Sequence, residues 1–148
     1  MKDIKNILKK QILTLDGAMG SLIQTHSLSE LDYRGEILSD HPQDLKGNHD
    51  ILSLTRPDII HSIHSLYLEA GADIIETNTF NANAISQSDY GLEHLVYQLN
   101  LESAKIAKNV TRAVTNKNPE KPRYVAGILG PTNRTCSMSP KVSDPGFR

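Results

Sequence analysis

Cysteine and large aromatic residues are scarce in this sequence. Its 148 residues include one cysteine, Cys136, two phenylalanines and no tryptophan. A single cysteine excludes an internal disulfide framework and any metal site built from several thiolates of this chain. The shortage of aromatic rings disfavours a carbohydrate site, because sugars favour an aromatic platform. The length allows one modest domain with a hydrophobic core, but a closed eightfold βα barrel typically needs ~250 residues.

An excess of one charge and long apolar runs are also lacking. Sixteen Lys and Arg residues against 17 Asp and Glu residues give a net charge of −1, so no global field attracts nucleic acid or an acidic membrane. No segment approaches the length of a membrane span, and the first six residues are not followed by the apolar run of a signal peptide. We therefore expect a soluble, cytoplasmic protein that binds neither nucleic acid nor membranes.

Strand-like and helical patterns alternate along the chain, which is typical of an α/β protein with parallel strands. The predicted strands are residues 11–15, which we expect to be buried, Ile74-Ile75 and 124–129. A short helix opens at Gly20-Ser21. Two longer helices follow Arg56 and Gly91, and their apolar residues recur at helical spacing. In the first of these, which begins at Pro57 and closes at Gly71, the predicted apolar stripe consists of Ile59, Ile60, Ile63, Leu66, Tyr67 and Ala70.

The remaining segments are less regular. Residues 1–10 are predicted to form an N-terminal arm, as a short helix or a frayed end. Residues 27–56 look irregular and polar, and so long a structureless stretch is unusual inside a compact domain. We interpret it as a functional loop or an excursion packed against the site. Three parallel strands cannot close a barrel, so we expect the first part of a larger domain.

Two of the predicted strands end at a carboxylate followed by small polar residues. Asp16 precedes Gly17-Ala18-Met19-Gly20, and Glu76 precedes Thr77-Asn78-Thr79. Because the carboxyl ends of parallel strands open on one face, Asp16 and Glu76 are predicted to point into one shared pocket. Two carboxylates suit an ammonium group, while N–H groups at a helix start suit a carboxylate. The pattern therefore predicts a polar clamp for a small zwitterion.

Other interpretations of these residues stay open. Asp16 could simply cap the next helix, and the Glu76–Thr79 segment could make only structural contacts with neighbouring loops. The two carboxylates could also be the general acid and base of a glycoside hydrolase. His61 and His64 have a spacing that can bind metal, but we expect both on a solvated helix face. Cys136 is interpreted as an unremarkable thiol.

Several longer motifs resemble the homocysteine S-methyltransferase family. Residues 15–20 and 69–80 are similar to two motifs shared across that family. Residues 32–36, 44–48 and 121–135 more narrowly resemble the amino-terminal homocysteine-binding module of its cobalamin-dependent methionine synthase branch. The resemblance extends from about residue 11 to Arg148.

The resemblance implies a fold and a reaction. The fold is a (β/α)8 TIM barrel, of which residues 11–148 supply the N-terminal part, the first three βα units, so that the barrel is incomplete in this chain. The reaction is transfer of a methyl group, derived from methyltetrahydrofolate, from methylcobalamin to homocysteine, giving methionine. No catalytic residue or metal ligand is expected in this chain. The implied substrate-binding residues are Asp16, Gly17, Ala18, Met19, Gly20, Glu76, Thr77, Asn78 and Thr79.

The resemblance also implies cofactors and partners. In the complete enzyme Zn²⁺ binds the substrate thiol, and metal coordination deprotonates a thiol whose free pKa is ~8.5. The family's three zinc cysteines come from later strands and Cys136 matches none of them, so we expect this segment alone to bind neither zinc nor cobalamin and to be inactive. The implied partners are homocysteine, the remainder of the barrel, and folate and cobalamin modules. A fragment of a betaine- or S-methylmethionine-dependent relative, or a non-catalytic remnant or interaction module, stays open.

Overall fold

The computed structural model describes residues 3–132, Arg134 and Ser143. Short helices precede and connect two long helices and a small sheet. The α-helices are α1 (Ile4–Leu8), α2 (Met19–Thr25), α3 (Glu30–Arg34), α4 (Leu52–Thr55), α5 (Pro57–Glu69), α6 (Ala84–Gln87) and α7 (Val96–Lys117). The strands are β1 (Ile74–Glu76) and β2 (Tyr124–Ala126), and 3₁₀ turns cover His49–Ile51, Ser88–Tyr90 and Glu93–Leu95.

The sheet is parallel, which confirms the predicted α/β class. β1 pairs with β2 in a register that places Ile75 opposite Val125, and Leu15 forms a parallel bridge to Ile74 on the other edge of β1. β1 is therefore the central segment, and Ile75 is completely buried. Helices α5 and α7 pack on β1, and α7 also packs on β2.

The strand predicted at residues 11–15 is wrong in extent and in burial. It is reduced to the bridge at Leu15, and the side chains of Ile12 and Leu15 are 96% and 46% exposed. The segment has β1 on one side only, so its apolar residues lack the neighbours that bury Ile75. The third predicted strand is also shorter than expected, because the Ile128 N–H donates to the Thr77 hydroxyl rather than to a strand backbone.

The two long helices form where the apolar spacing predicted them, although Leu66 and Ala70 of the predicted stripe are exposed. α5 begins at Pro57 as expected, because proline lacks the N–H that a first helical residue leaves unused anyway. α7 ends at Lys117, immediately before Asn118-Pro119, and buries Leu99, Ser103, Ala107 and Val110. These residues recur at intervals of three or four and form one face of the helix, which packs against α5 and α4.

The interpretation of residues 27–56 as irregular is wrong. The segment contains α3, α4 and a 3₁₀ turn, and it contributes Tyr33, Leu45, Ile51 and Leu52 to the hydrophobic core. Helices of four or five residues show too few turns for a periodic pattern. One local signal was available, since Ser29 and Asp32 form a capping box at the start of α3.

The amino-terminal residues lie outside this core. Helix α1 is capped by the Asp3 side chain, which accepts a hydrogen bond from the Lys5 N–H, and α1 contains no buried residue. Within the described part of the chain, no helix combines the length and the apolarity needed to cross a membrane.

The prediction that His61 and His64 share a solvated face is wrong for His64. His61 is exposed, whereas His64 is fully buried, and neither of its ring nitrogens has a hydrogen-bond partner among the residues described. The buried stripe of α5 passes through Ile60, His64 and Leu68, while Leu66 is 52% exposed. Burial, with a smaller effect of the charge of His61, lowers the pKa of His64 to about 4.

Replacing His64 by leucine is expected to raise the free energy of unfolding by about 1–2 kcal/mol at pH 7.5, because two buried polar atoms without partners are removed. This increase in the free energy of unfolding should be larger at pH 5. An unfolded histidine has a pKa of about 6.5, so between that value and the folded value the unfolded chain binds a proton that buried His64 does not. Wild-type stability from this group therefore falls as the pH falls.

Urea unfolding of wild type and His64→Leu at both pH values measures this effect as a difference between the two proteins. His61→Leu, at an exposed position of the same helix, is the matched control and should change little. A His64→Leu variant that is less stable than wild type, or that gains nothing between pH 7.5 and pH 5, would contradict the prediction.

Candidate functional site

A cavity of about 470 Å³ opens at the carboxyl ends of β1 and β2. Residues from four separate stretches of the chain line it. They are Asp16, Gly17, Ala18, Met19, Gly20, Gly47, His49, Asp50, Glu76, Thr77, Asn78, Thr79, Phe80, Asn81 and Ile128. The structure thus brings together all nine residues that the sequence singled out.

A larger cavity, of about 820 Å³, lies at the opposite ends of the strands, between α1 and residues 120–124. Ligand sites of parallel α/β proteins lie at the carboxyl ends of the strands, whereas the amino ends serve stability. The smaller cavity also holds the unsatisfied carboxylate described next. We therefore take the smaller cavity as the candidate site.

Asp16 lies beside Glu76 because the chain before it runs parallel to β1. The Asp16 N–H donates to the Ile74 carbonyl at 3.0 Å, and the Asp16 Oδ2 atom accepts from the Glu76 N–H at 3.0 Å. The Oδ1 atom is buried and has no partner among the described residues. Burial raises the pKa of Asp16 to about 6; the hydrogen bond from Glu76 opposes this rise, and the charge of Glu76 adds to it.

The interpretation of Asp16 as a helix cap is wrong. The residue before α2 is Ala18, and no side chain caps the helix. The first N–H groups of a helix have no partner within it, and here they belong to the Ala18–Gly20 turn that lines the cavity. A carboxylate and free N–H groups therefore meet at one edge of the site.

The polar side chains after Glu76 are engaged in structural contacts. The Thr77 and Thr79 hydroxyls lie 2.7 Å apart, and Thr79 donates to the Ile128 carbonyl at 2.9 Å. The Asn78 amide donates to the His49 carbonyl at 2.9 Å and to the Ser53 hydroxyl at 3.2 Å. These contacts match the alternative in which the segment joins neighbouring loops, although all three residues still line the cavity.

His49 and Asp50 are site residues that the sequence reasoning missed. The His49 ring stacks on Tyr33, with centroids 6.1 Å apart and an angle of 28° between the planes. The Asp50 Oδ1 atom accepts from the Asn81 N–H at 2.9 Å, and burial raises the pKa of Asp50 to about 6. Neither residue follows a strand, but both lie within residues 27–56, which were predicted to form a functional loop or an excursion packed against the site.

The lining carries three carboxylates, those of Asp16, Asp50 and Glu76, and one imidazole, that of His49. No lysine or arginine is among the lining residues that the structure describes. Such a cavity favours a cationic group. It does not fit a zinc ion, since residues 3–132 contain no group of three or more His, Cys, Asp or Glu side chains able to hold a metal. Cys136 lies outside the described residues.

Comparison with known proteins gives one family and one fold. The sequence model of the homocysteine S-methyltransferase family matches residues 13–147. Crystal structures of the homocysteine methyltransferase MmuM from Escherichia coli are similar to this chain. The oxidized form matches with a TM-score of 0.67 and 25% identity, over 86% of this chain and 40% of that chain. The metallated form matches with a TM-score of 0.65 and 24% identity, over 86% of this chain and 41% of that chain.

The apo form of MmuM matches with a TM-score of 0.60 and 23% identity, over 90% of this chain and 42% of that one. The chain thus spans about two fifths of the length of these solved structures. The family match extends over almost the whole sequence and includes both strand-end motifs of the cavity. The chain belongs to the homocysteine S-methyltransferase family.

Proposed function

We propose that the cavity binds homocysteine and that the chain is part of an enzyme that methylates homocysteine to methionine. The observation that carries this proposal is that two carboxylates, those of Asp16 and Glu76, line one cavity whose described lining has no lysine or arginine. The α-ammonium group of an amino acid would lie between the two carboxylates. A hydrogen bond from it would satisfy Asp16 Oδ1, which otherwise stays buried without a partner.

The other end of the substrate requires hydrogen-bond donors. The backbone N–H groups of the Gly17–Gly20 turn are proposed to hold the α-carboxylate, because the start of α2 leaves them without helical partners. Thr77, Asn78 and Thr79 are proposed to shape the wall of the cavity, where their hydroxyl and amide groups hold neighbouring loops in place. In this arrangement the thiol extends away from Asp16, toward the open part of the cavity.

The wider assembly is proposed from the resemblance. The Leu15 segment, β1 and β2 would be the first three strands of a (β/α)8 barrel, and their parallel order supports this. Motifs at residues 32–48 and 121–135 favour methylcobalamin as donor, with folate and cobalamin modules as partners, over betaine or S-methylmethionine. Zinc would need ligands beyond the described residues. With one cysteine, this chain alone should be inactive, and methionine formation by it from methylcobalamin would contradict that.

The test is calorimetric titration of the purified chain with L-homocysteine under reducing conditions. Asp16→Asn and Glu76→Gln keep the size of each side chain and remove its charge, so each should weaken binding about tenfold or more, as loss of a charge-assisted hydrogen bond does. Affinity should also fall as the pH falls below about 6, the raised pKa of Asp16, because a protonated carboxyl no longer attracts ammonium.

Asp44→Asn is the matched control, since the Asp44 side chain is 92% exposed and lies outside the cavity lining. Circular dichroism of each variant verifies that the fold is retained. Unchanged affinity in both cavity variants would contradict the assigned roles of Asp16 and Glu76. A wild-type chain that binds no homocysteine would instead favour a non-catalytic remnant or interaction module.

A further inference from the structure

The charges of the cavity match only one end of an amino acid. Its three carboxylates suit the ammonium group, but the α-carboxylate of the same ligand meets no lysine or arginine among the lining residues described. Within the described lining, the donors assigned to that end are backbone N–H groups at the start of the seven-residue helix α2. A carboxylate held close to three others needs a further donor, because like charges repel in a partly buried site.

Hydrogen bonds at residues 48, 49 and 50 fix the backbone around His49. The Asn48 and Gln87 side-chain amides pair with each other, with N···O distances of 2.8 and 3.3 Å. The His49 carbonyl accepts from Asn78, and the Asp50 carboxylate accepts from the Asn81 N–H. Asn48, Asp50, Asn78 and Gln87 are all buried. This network holds residues 48–50 against the loop that follows β1.

The His49 ring is held as well, and its nitrogens are available. One face stacks on buried Tyr33. No hydrogen bond to either ring nitrogen is formed by the residues that the structure describes, yet neither nitrogen is among the buried atoms without partners. The ring is therefore open to the cavity that it lines. Burial lowers the pKa of His49, so at neutral pH the imidazole is uncharged and carries one N–H donor.

The His49 ring lies close to the Gly17–Gly20 turn. A Cβ atom added to Gly20 would lie 3.7 Å from His49 Nδ1 and 4.0 Å from Cε1. The imidazole edge thus faces the part of the turn where α2 begins, so a group bound to the first N–H groups of the helix would lie within reach of the ring. His49 and the turn approach each other from stretches of chain that are separate in the sequence.

We infer that His49 is a substrate-binding residue whose imidazole N–H donates a hydrogen bond to the α-carboxylate of the ligand. This inference rests on the proposed function and deepens it, since it makes His49 the residue that selects an amino acid over the corresponding amine. Asp16 and Glu76 recognise the ammonium group, and His49 together with the Gly17–Gly20 turn recognises the carboxylate.

The test compares two ligands that differ only in the carboxylate, L-homocysteine and 3-aminopropane-1-thiol. His49→Phe keeps an aromatic ring to stack on Tyr33 and removes both nitrogens. It should weaken homocysteine binding about 10- to 100-fold, the effect of losing a hydrogen bond to a charged group, while changing the affinity for the amine less than about twofold. His49→Gln, which retains an N–H donor, should recover part of the loss. His94→Phe, at an exposed position, is the control.

A second readout does not depend on a variant that folds. In wild-type protein labelled in its histidine rings, the NMR signals of His49 should shift on addition of homocysteine and stay in place on addition of the amine. Equal weakening of both ligands by His49→Phe, or equal shifts with both, would overturn the role of His49 and leave the proposed function standing. A wild-type chain that binds neither ligand would overturn both.

Discussion

Replacing Asp73 by alanine is expected to lower the free energy of unfolding by about 3–5 kcal/mol, the usual effect of removing one partner from a buried ion pair. The Asp73 side chain is 8% exposed and lies 3.3 Å from Arg123 Nη1, whose own side chain is 10% exposed. Asp73 Oδ2 also accepts from the Thr14 N–H at 3.0 Å. Without the carboxylate, a buried guanidinium loses its counter-charge and Thr14 loses its acceptor.

Most of the expected loss in the free energy of unfolding should come from the broken ion pair with Arg123. Lys121 also approaches Asp73, at 3.4 Å, but its side chain is 46% exposed, and exposed ion pairs contribute little. Arg123 further donates to the carbonyls of Gly71 and Ala72, at 3.1 and 2.6 Å, while its Nε atom has no partner among the described residues. Alanine at position 73 would therefore weaken the joint between α5, β1 and the start of β2.

The stability difference should depend on pH in a defined direction. Burial opposes ionisation of Asp73, but the Thr14 hydrogen bond and the charges of Lys121 and Arg123 outweigh it and lower the pKa of Asp73. A carboxyl group whose pKa is lowered in the folded state stabilises the protein above the unfolded pKa of about 3.9. That contribution is lost as the pH falls through the folded pKa, so the difference from Asp73→Ala should shrink in strong acid.

Urea unfolding at pH 7 and pH 3 measures both parts of this prediction. Asp44→Ala provides the control, since that carboxylate pairs with Arg34 at 3.6 Å but is 92% exposed, and its loss should cost less than about 1 kcal/mol. The prediction is wrong if Asp73→Ala destabilises the chain no more than Asp44→Ala does.

The second large effect is expected at Gly35, where alanine should destabilise the fold by about 2–4 kcal/mol. Gly35 ends α3 with φ +53° and ψ −159°, a conformation that is essentially restricted to glycine. An added Cβ would also lie 3.0 Å from Thr55 Cβ and 3.4 Å from Thr55 Cα. Backbone strain and a contact that no side-chain rotation can relieve therefore act together.

Thermal or urea unfolding of Gly35→Ala measures this loss. Gly127→Ala is the matched control, because a Cβ at Gly127 would meet nothing within 4 Å and its φ is not in the left-handed region. If both substitutions changed stability equally, the strain assigned to Gly35 would be excluded as the cause.

Long periodic segments could be predicted from the sequence, whereas burial of single residues could not. α5 and α7 repeat their apolar spacing over 13 and 22 residues, which is enough to identify a helix. α3 and α4 are too short for such a signal. Ile12 was predicted to be buried because it is apolar, but burial depends on neighbours, and it is 96% exposed. His64, in contrast, was predicted to lie on a solvated helix face, and it is fully buried.

The candidate site was predictable to the extent that it follows from strand topology. Asp16 and Glu76 meet because both follow segments that pair in parallel, and that relation can be read from strand-end positions alone. His49 and Asp50 come from a 3₁₀ turn that does not follow a strand. Their place in the cavity depends on hydrogen bonds to Asn78 and Asn81, which only the folded chain reveals.

Several hydrogen bonds at the candidate site join remote parts of the chain. Those from Glu76 to Asp16, from Asn78 to His49 and from Thr79 to Ile128 span 60, 29 and 49 residues. Closing such long loops costs conformational entropy before the contacts can stabilise the fold. We therefore expect the helices to form first and the cavity last. A ligand bound there would tie distant segments together, and at 100 times its Kd it would add about 2.7 kcal/mol to the free energy of unfolding.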